Sequence, residues 1–128
     1  MITLDDRVGA VELLKYFPAG MAEVSRLQFG DAMFVGNGAE GPCLVGVERK
    51  RIGDLVNSIA NGRLSGHQLI GLCNAYNVTY LVVEGLYRPA PKDGLLEVWR
   101  HGHWGPLETG KRRFMARDVW AYLETLRM

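Results

Sequence analysis

Apolar residues recur along this chain in two periods, and the switches between them mark its elements. Residues 2–4, with Ile2 and Leu4 alternating about Thr3, read as a short strand with Asp5 and Asp6 at its end. Ala10, Leu13, Leu14 and Phe17 fall at i, i+3, i+4 and i+7, which predicts a helix up to the break at Pro18-Ala19-Gly20. Residues 22–29 read as a strand. Residues 31–35 and 43–50 then read as a hairpin with a long turn through Gly36, Asn37, Gly38, Gly41 and Pro42.

Ile52, Leu55, Val56 and Ile59 form a clean helical stripe that Asn61-Gly62 closes. Ser65 and Gln68 have the spacing of a capping box, and the helix they open carries Leu69, Leu72, Cys73 and Tyr76 on one face. Residues 78–83 are continuously apolar, the pattern of a strand covered on both faces. Residues 86–94 hold two prolines and read as a loop. Residues 95–100 and 104–107 read as a second hairpin turning at His101-Gly102-His103. Met115, Val119, Leu123 and Leu126 set a last helix over residues 114–126. The order of elements predicts an α/β fold, a mixed sheet between helices with a C-terminal hairpin and helix.

Length and composition add only bounds. A chain of 128 residues is one domain with room for a core. Its 48% hydrophobic and 23% charged residues suit a soluble globule. A net charge of +1 means that a nucleic-acid site would have to be a local patch. The two cysteines, Cys43 and Cys73, sit in apolar segments and read as free buried thiols of a reducing compartment. No signal peptide and no apolar run long enough to span a bilayer is present, so the expectation is an intracellular protein without membrane contact.

The chemistry concentrates between Gly30 and Asp54. Side chains alternate along a strand, so Glu48 and Lys50 share one face with Leu44 and Gly46, while Arg49 faces the other way with Val45 and Val47. If Asp31 and Glu48 meet, both carboxylates stay ionised only with a cation beside them. A hard divalent ion answers that need, and Lys50 is placed to steady a developing negative charge. An acid followed by Glu-x-Lys across a β-turn-β unit is the logic of a metal-dependent phosphodiesterase.

In that order these residues resemble the XPF family of structure-specific endonucleases. The family's nuclease motif is Gly-Asp, a spacer, then Glu-Arg-Lys-x-x-x-Asp. This chain has Gly30-Asp31, sixteen residues, Glu48-Arg49-Lys50, three residues and Asp54. The likeness continues through Leu55, Asn57-Ser58-Ile59, Gly62-Arg63-Leu64, Gln68 and Leu81-Val82-Val83-Glu84-Gly85, and so covers about residues 1–86. Asp5-Asp6-Arg7 is similar to the family's first-strand Asp-x-Arg-Glu, with Val8 in place of the Glu.

The resemblance implies a restriction-endonuclease-like core and an Mg²⁺- or Mn²⁺-dependent endonuclease that leaves a 5′-phosphate and a 3′-hydroxyl on branched DNA. Asp31, Glu48, Arg49, Lys50 and Asp54 are its implied catalytic set, and Asp31, Glu48 and Asp5 its metal ligands, with Asp6 the rival of Asp5. The position of Arg49 also offers a backbone carbonyl to a metal, whatever its side chain does. Asp54 lies about 160° from the centre of its own helix stripe and in a first turn that favours negative charge, so a role orienting an arginine competes with direct ligation. Gln68 belongs to the motif or to the capping box. Arg51, Arg63, Lys111, Arg112 and Arg113 are the DNA-binding candidates. Lys111, Arg112, Arg113 and Arg117 form the dense basic run, which reads otherwise as a solvated helix start.

Other readings are a junction resolvase or linear-end nuclease of the same superfamily, and a catalytically silent DNA-structure-binding module. Intact Asp31, Glu48, Lys50 and Asp54 argue against silence. His101 and His103 have metal-ligand spacing, but a turn at Gly102 explains them. Family members usually dimerise through a further domain. Here all three tryptophans, Trp99, Trp104 and Trp120, follow Gly85, so the expectation is a homodimer through residues 95–126, the alternative being a monomer with a separate DNA-binding partner protein.

Overall fold

The computed structural model describes residues 1–62 and 68–126. Arg63, Leu64 and Ser65 of the expected motif and capping box lie outside the described residues. The chain divides into two compact units, Met1–Lys50 with Gly62–Val82, and Arg51–Asn61 with Val83–Met128.

A mixed five-stranded sheet in the order β2-β1-β3-β4-β5 forms from β1 (Ile2–Asp5), β2 (Ala22–Ser25), β3 (Ala32–Gly38), β4 (Gly41–Arg51) and β5 (Val78–Glu84). β1 runs parallel to β2 and antiparallel to β3, and β3 pairs antiparallel with β4. Interior β1 carries Leu4 at 1% exposure and Asp5 at 2%, so the sheet buries an acid beside its core. The fold class read from the sequence therefore stands: a mixed sheet with helices.

Several boundaries differ, each for a local reason. The helix expected near residue 10 is a 3-10 helix, Val11–Tyr16, with no buried residue; only Ala10, just before it, is packed away. Its apolar spacing has too little core contact to sustain α-helix before Pro18. β2 stops at Ser25 because the chain is then claimed by the side chains of Asp5 and Arg7. The hairpin turn is short, not long: β3 and β4 pair to Gly38↔Gly41, leaving Ala39 and Glu40 as the turn. Gly36 and Gly38, read as loop formers, serve close strand approach instead, whereas Gly41 supplies the positive φ of the turn. A Cβ at Gly38 would stand 2.9 Å from the Gly41 carbonyl oxygen. β5 is the last strand of the sheet and is not covered on both faces, since Val78, Tyr80 and Val82 are exposed.

α1 (Ile52–Ala60) matches its stripe and buries Ile52, Leu55 and Val56. α2 (Leu69–Ala75) buries Leu72, and Gln68 makes no side-chain cap bond at its start. In the second unit, β6 (Tyr87–Pro89), β7 (Leu96–Arg100) and β8 (His103–Pro106) form an antiparallel sheet in that order. Part of the expected loop over residues 86–94 is thus strand, because β6 lies at an edge, where Pro89 forfeits no ladder bond. The β7–β8 turn is His101-Gly102, both at positive φ, with Arg100 opposite His103. That turn accounts for the two histidines.

The basic run is not a helix start. β9 (Glu108–Thr109) and β10 (Arg112–Arg113) make a small hairpin, and α3 (Ala116–Thr125) begins only after Met115. Cys43 and Cys73 are free thiols. No helix among the described residues is long and apolar enough to cross a membrane.

Candidate functional site

The site is built from the ends of β1, β3 and β4. Asp31 sits at the corner that enters β3, after Gly30 at φ +88. Three hydrogen bonds fix that corner. The Asp31 amide donates to the Val47 carbonyl at 2.8 Å, and its own carbonyl accepts from the Asp5 amide at 2.9 Å. The Arg49 amide donates to Asp31 Oδ2 at 2.7 Å. Asp31 is thereby tied to both neighbouring strands, one of which carries Glu48.

Glu48 and Asp31 share a field. Burial, then the charge of Asp31, push the Glu48 carboxyl from 4.5 up to about 7; Lys50 pulls it down, Asp5 pushes it up, and Arg7 pulls it down. The predicted pair of carboxylates is thus brought together, with Lys50 close enough to oppose their charge.

Asp5 and Asp6 separate cleanly. Asp6 pairs at the surface with Arg26. Asp5 is buried, and its Oδ1 accepts from the Leu27 amide at 2.9 Å. Arg7 reaches Asp5 Oδ2 at 3.3 Å and also donates to the Leu27 carbonyl at 2.9 Å. Asp5, Arg7 and Leu27 therefore close a ring, and the acid inside the site's field is Asp5. Val8, where the family has Glu, is 92% exposed.

Arg49 points its guanidinium to the Gly9 carbonyl at 2.8 Å. Among the described residues, no three His, Cys, Asp or Glu side chains gather closely enough to hold an ion between them. What the first unit offers is the coupled pair Asp31 and Glu48, with Asp5 adding negative charge behind it. Hard oxygen donors, with one carboxyl raised by burial first and by its neighbour's charge second, fit a divalent cation.

Sequence reasoning missed Tyr76. Its hydroxyl donates to the Phe29 carbonyl at 2.6 Å. Burial, Asp5 and Glu48, in that order, raise its pKa. The available signal was Gly46, a glycine inside an apolar strand, which marks a close approach.

In the second unit, Asp54 is exposed in the first turn of α1. It lines a cleft of about 670 Å³ with Arg51, Asn57, Glu84, Trp99 and Arg100. That cleft includes neither Asp31 nor Glu48, and its lining mixes both charges. The cleft and the perturbed carboxyl thus lie in different units. Arg112 stacks on Phe114 at 4.6 Å, and Arg113 Nε is buried without a hydrogen-bond partner.

A family model described as ERCC4 domain matches residues 10–95. The fold is similar to XPF from Aeropyrum pernix, with a TM-score of 0.60 and 21% identity over 100% of this chain and 53% of that one. It is also similar to XPF from Aeropyrum pernix in complex with DNA, with a TM-score of 0.59 and 21% identity over 99% of this chain and 50% of that one. The chain spans about half the length of these structures. No curated protein matches it.

Proposed function

The chain belongs to the ERCC4-domain family, and from that premise we propose that it is a divalent-metal-dependent endonuclease acting on branched DNA. The observation that carries this reading is the charge coupling of Asp31 and Glu48 on adjacent strands, in the order of the nuclease motif. Asp31 and Glu48 would hold Mg²⁺ or Mn²⁺, with Asp5 as a third acid behind them. Bound there, the ion supplies Lewis-acid activation of water and neutralisation of phosphate charge.

The chain's own groups set the geometry. The Arg49 amide fixes Oδ2 of Asp31, and Oδ1 would be the oxygen offered to the ion. Lys50 brings a fixed positive charge to the phosphate as negative charge builds on it. The Arg49 side chain braces the Gly9 segment. DNA as the partner is supported by the family and by the DNA complex of the matched XPF.

The test is a labelled panel of flap, fork, four-way junction, single strand and duplex, each with Mg²⁺, Mn²⁺ or EDTA. Metal-dependent cutting concentrated on branched substrates is expected. Cutting in EDTA would overturn the metal mechanism, and equal cutting of plain duplex would overturn the branched substrate.

A further inference from the structure

Two glycines flank the proposed centre, Gly30 one residue before Asp31 and Gly46 two residues before Glu48. The Tyr76 ring fills the space at Gly46 and reaches that at Gly30, where the Val47 carbonyl oxygen at 3.2 Å and Leu72 Cδ1 at 3.3 Å would meet a Cβ first. A Cβ at Gly46 would stand 2.1 Å from Tyr76 Cδ2, with two further ring atoms at 2.5 Å. A Cβ at Gly30 would stand 3.6 Å from Tyr76 Cε2. No side chain larger than hydrogen fits at Gly46 while the ring stays in place. Gly46 and Glu48 lie on the same face of β4, so the ring occupies the glutamate's side of the strand.

The phenol then grips the other strand. Its hydroxyl donates to the Phe29 carbonyl at 2.6 Å, the peptide just before the Gly30–Asp31 corner. The same residue is held a second time, because a Cβ at Gly71 in α2 would stand 2.1 Å from the Phe29 ring. The next residue completes the grip on β4. The Asn77 amide donates to the Leu44 carbonyl at 2.9 Å, and Asn77 Oδ1 accepts from the Leu44 amide at 2.8 Å. The end of α2 thus clamps β4 at residues 44 and 46 and the entry to β3 at residue 29.

We infer that Tyr76 is a positioning residue: its ring against Gly46 and its hydroxyl on Phe29 set the spacing and aim of Asp31 and Glu48. The inference rests on the proposed function for its consequence, but its geometry stands alone. Tyr76 acts without touching substrate or metal, through the two strands that carry the acids, as outer partners of ligands do when they fix orientation. Burial first, then the charges of Asp5 and Glu48, raise the phenol's pKa, in keeping with its seat beside the acids.

Tyr76→Phe keeps the ring and removes the grip on Phe29. Gly46→Ala keeps the phenol and displaces the ring. Tyr80→Phe, at a 56% exposed tyrosine, is the control. Three readouts are needed on the full chain: amide hydrogen exchange at Asp31 and Arg49, Mn²⁺ affinity without DNA, and kcat and KM for a branched substrate.

The two Tyr76-site variants should speed exchange at both amides. They should weaken Mn²⁺ binding and lower kcat on the order of tenfold, with KM held. Tyr80→Phe should change none of these. If Tyr76→Phe lowers Tm but leaves exchange at Asp31 and Arg49 unchanged, Tyr76 is a packing residue and the inference fails. If Gly46→Ala does not fold, Tyr76→Phe decides alone. If the unaltered protein neither binds Mn²⁺ nor cuts, the nuclease reading fails, and exchange at the two amides still decides the positioning role.

Discussion

The Arg49 amide donates to Asp31 Oδ2 at 2.7 Å, so a residue of the Glu-Arg-Lys run aims the first acid of the motif through its backbone. The Arg49 side chain leaves in another direction, to the Gly9 carbonyl. The two functions of Arg49 are therefore separable. Arg49→Ala should retain the Asp31 bond and lose the brace, lowering kcat by about tenfold or less. Lys50→Ala removes the charge proposed to meet the phosphate and should cost on the order of 10²–10³ in kcat. Single-turnover cleavage of both variants compares them directly.

The pH dependence follows from Glu48. Its carboxyl is raised from 4.5 to about 7, so the folded chain binds that proton more tightly than the unfolded chain does. Its contribution to stability is full below the unfolded value and is lost as pH rises through the folded one. Metal-free protein should thus lose stability across that window, and Glu48→Gln should flatten the loss. A divalent ion competes with the same proton. Mg²⁺ should raise Tm more at about pH 8 than at about pH 5.5, and cleavage should fall as pH drops below neutrality. Melting curves with and without Mg²⁺ check both signs.

Asp5 and Asp6 are adjacent in sequence and opposite in consequence. Arg7→Ala would strip the buried Asp5 of a partner and free the Leu27 carbonyl, at a cost of about 1–3 kcal/mol. Asp6→Ala breaks only a surface pair and should leave the urea midpoint nearly unchanged. Urea midpoints distinguish them.

The basic hairpin is the DNA-contact prediction. Arg113 Nε is buried without a partner, and Lys111 and Arg112 are exposed beside it. Replacing Lys111, Arg112 and Arg113 with Ala should flatten the salt dependence of DNA binding by about 0.9 for each phosphate these side chains neutralise. An unchanged slope returns them to a solvated turn.

Assembly can be tested on α3. Val119 is 2% exposed, whereas its neighbour Trp120 is 41% exposed. A homodimer through this face predicts twice the 14.3 kDa chain mass by light scattering, reduced to one by Trp120→Glu. A monomer with and without branched DNA would exclude it.

The sequence made the central strands, α1 and the acid pair legible because each rests on a local pattern. Alternation put Glu48 and Lys50 on one face, and the stripe from Ile52 to Ile59 needed no tertiary information. What it hid was tertiary. Gly36, Gly38 and Pro42 looked like a loop until the partner strand supplied a reason for small residues there. β5 looked buried because composition cannot reveal an edge. Residues 108–113 yielded to a hairpin that only cross-strand pairing defines. The choice between Asp5 and Asp6 turned on Leu27 and Arg26, their respective partners, which lie far along the chain. Tyr76 read as part of a helix stripe, since its contacts with Gly46 and Phe29 cross long sequence separations.

Whether Asp31 and Glu48 form a metal-dependent cutting centre is decided most directly by one measurement. It is cleavage of a labelled branched DNA by wild-type protein and Glu48→Gln, side by side in Mg²⁺. Wild type should cut, and Glu48→Gln should fold, bind the DNA and fail to cut. Full activity in Glu48→Gln would contradict the account.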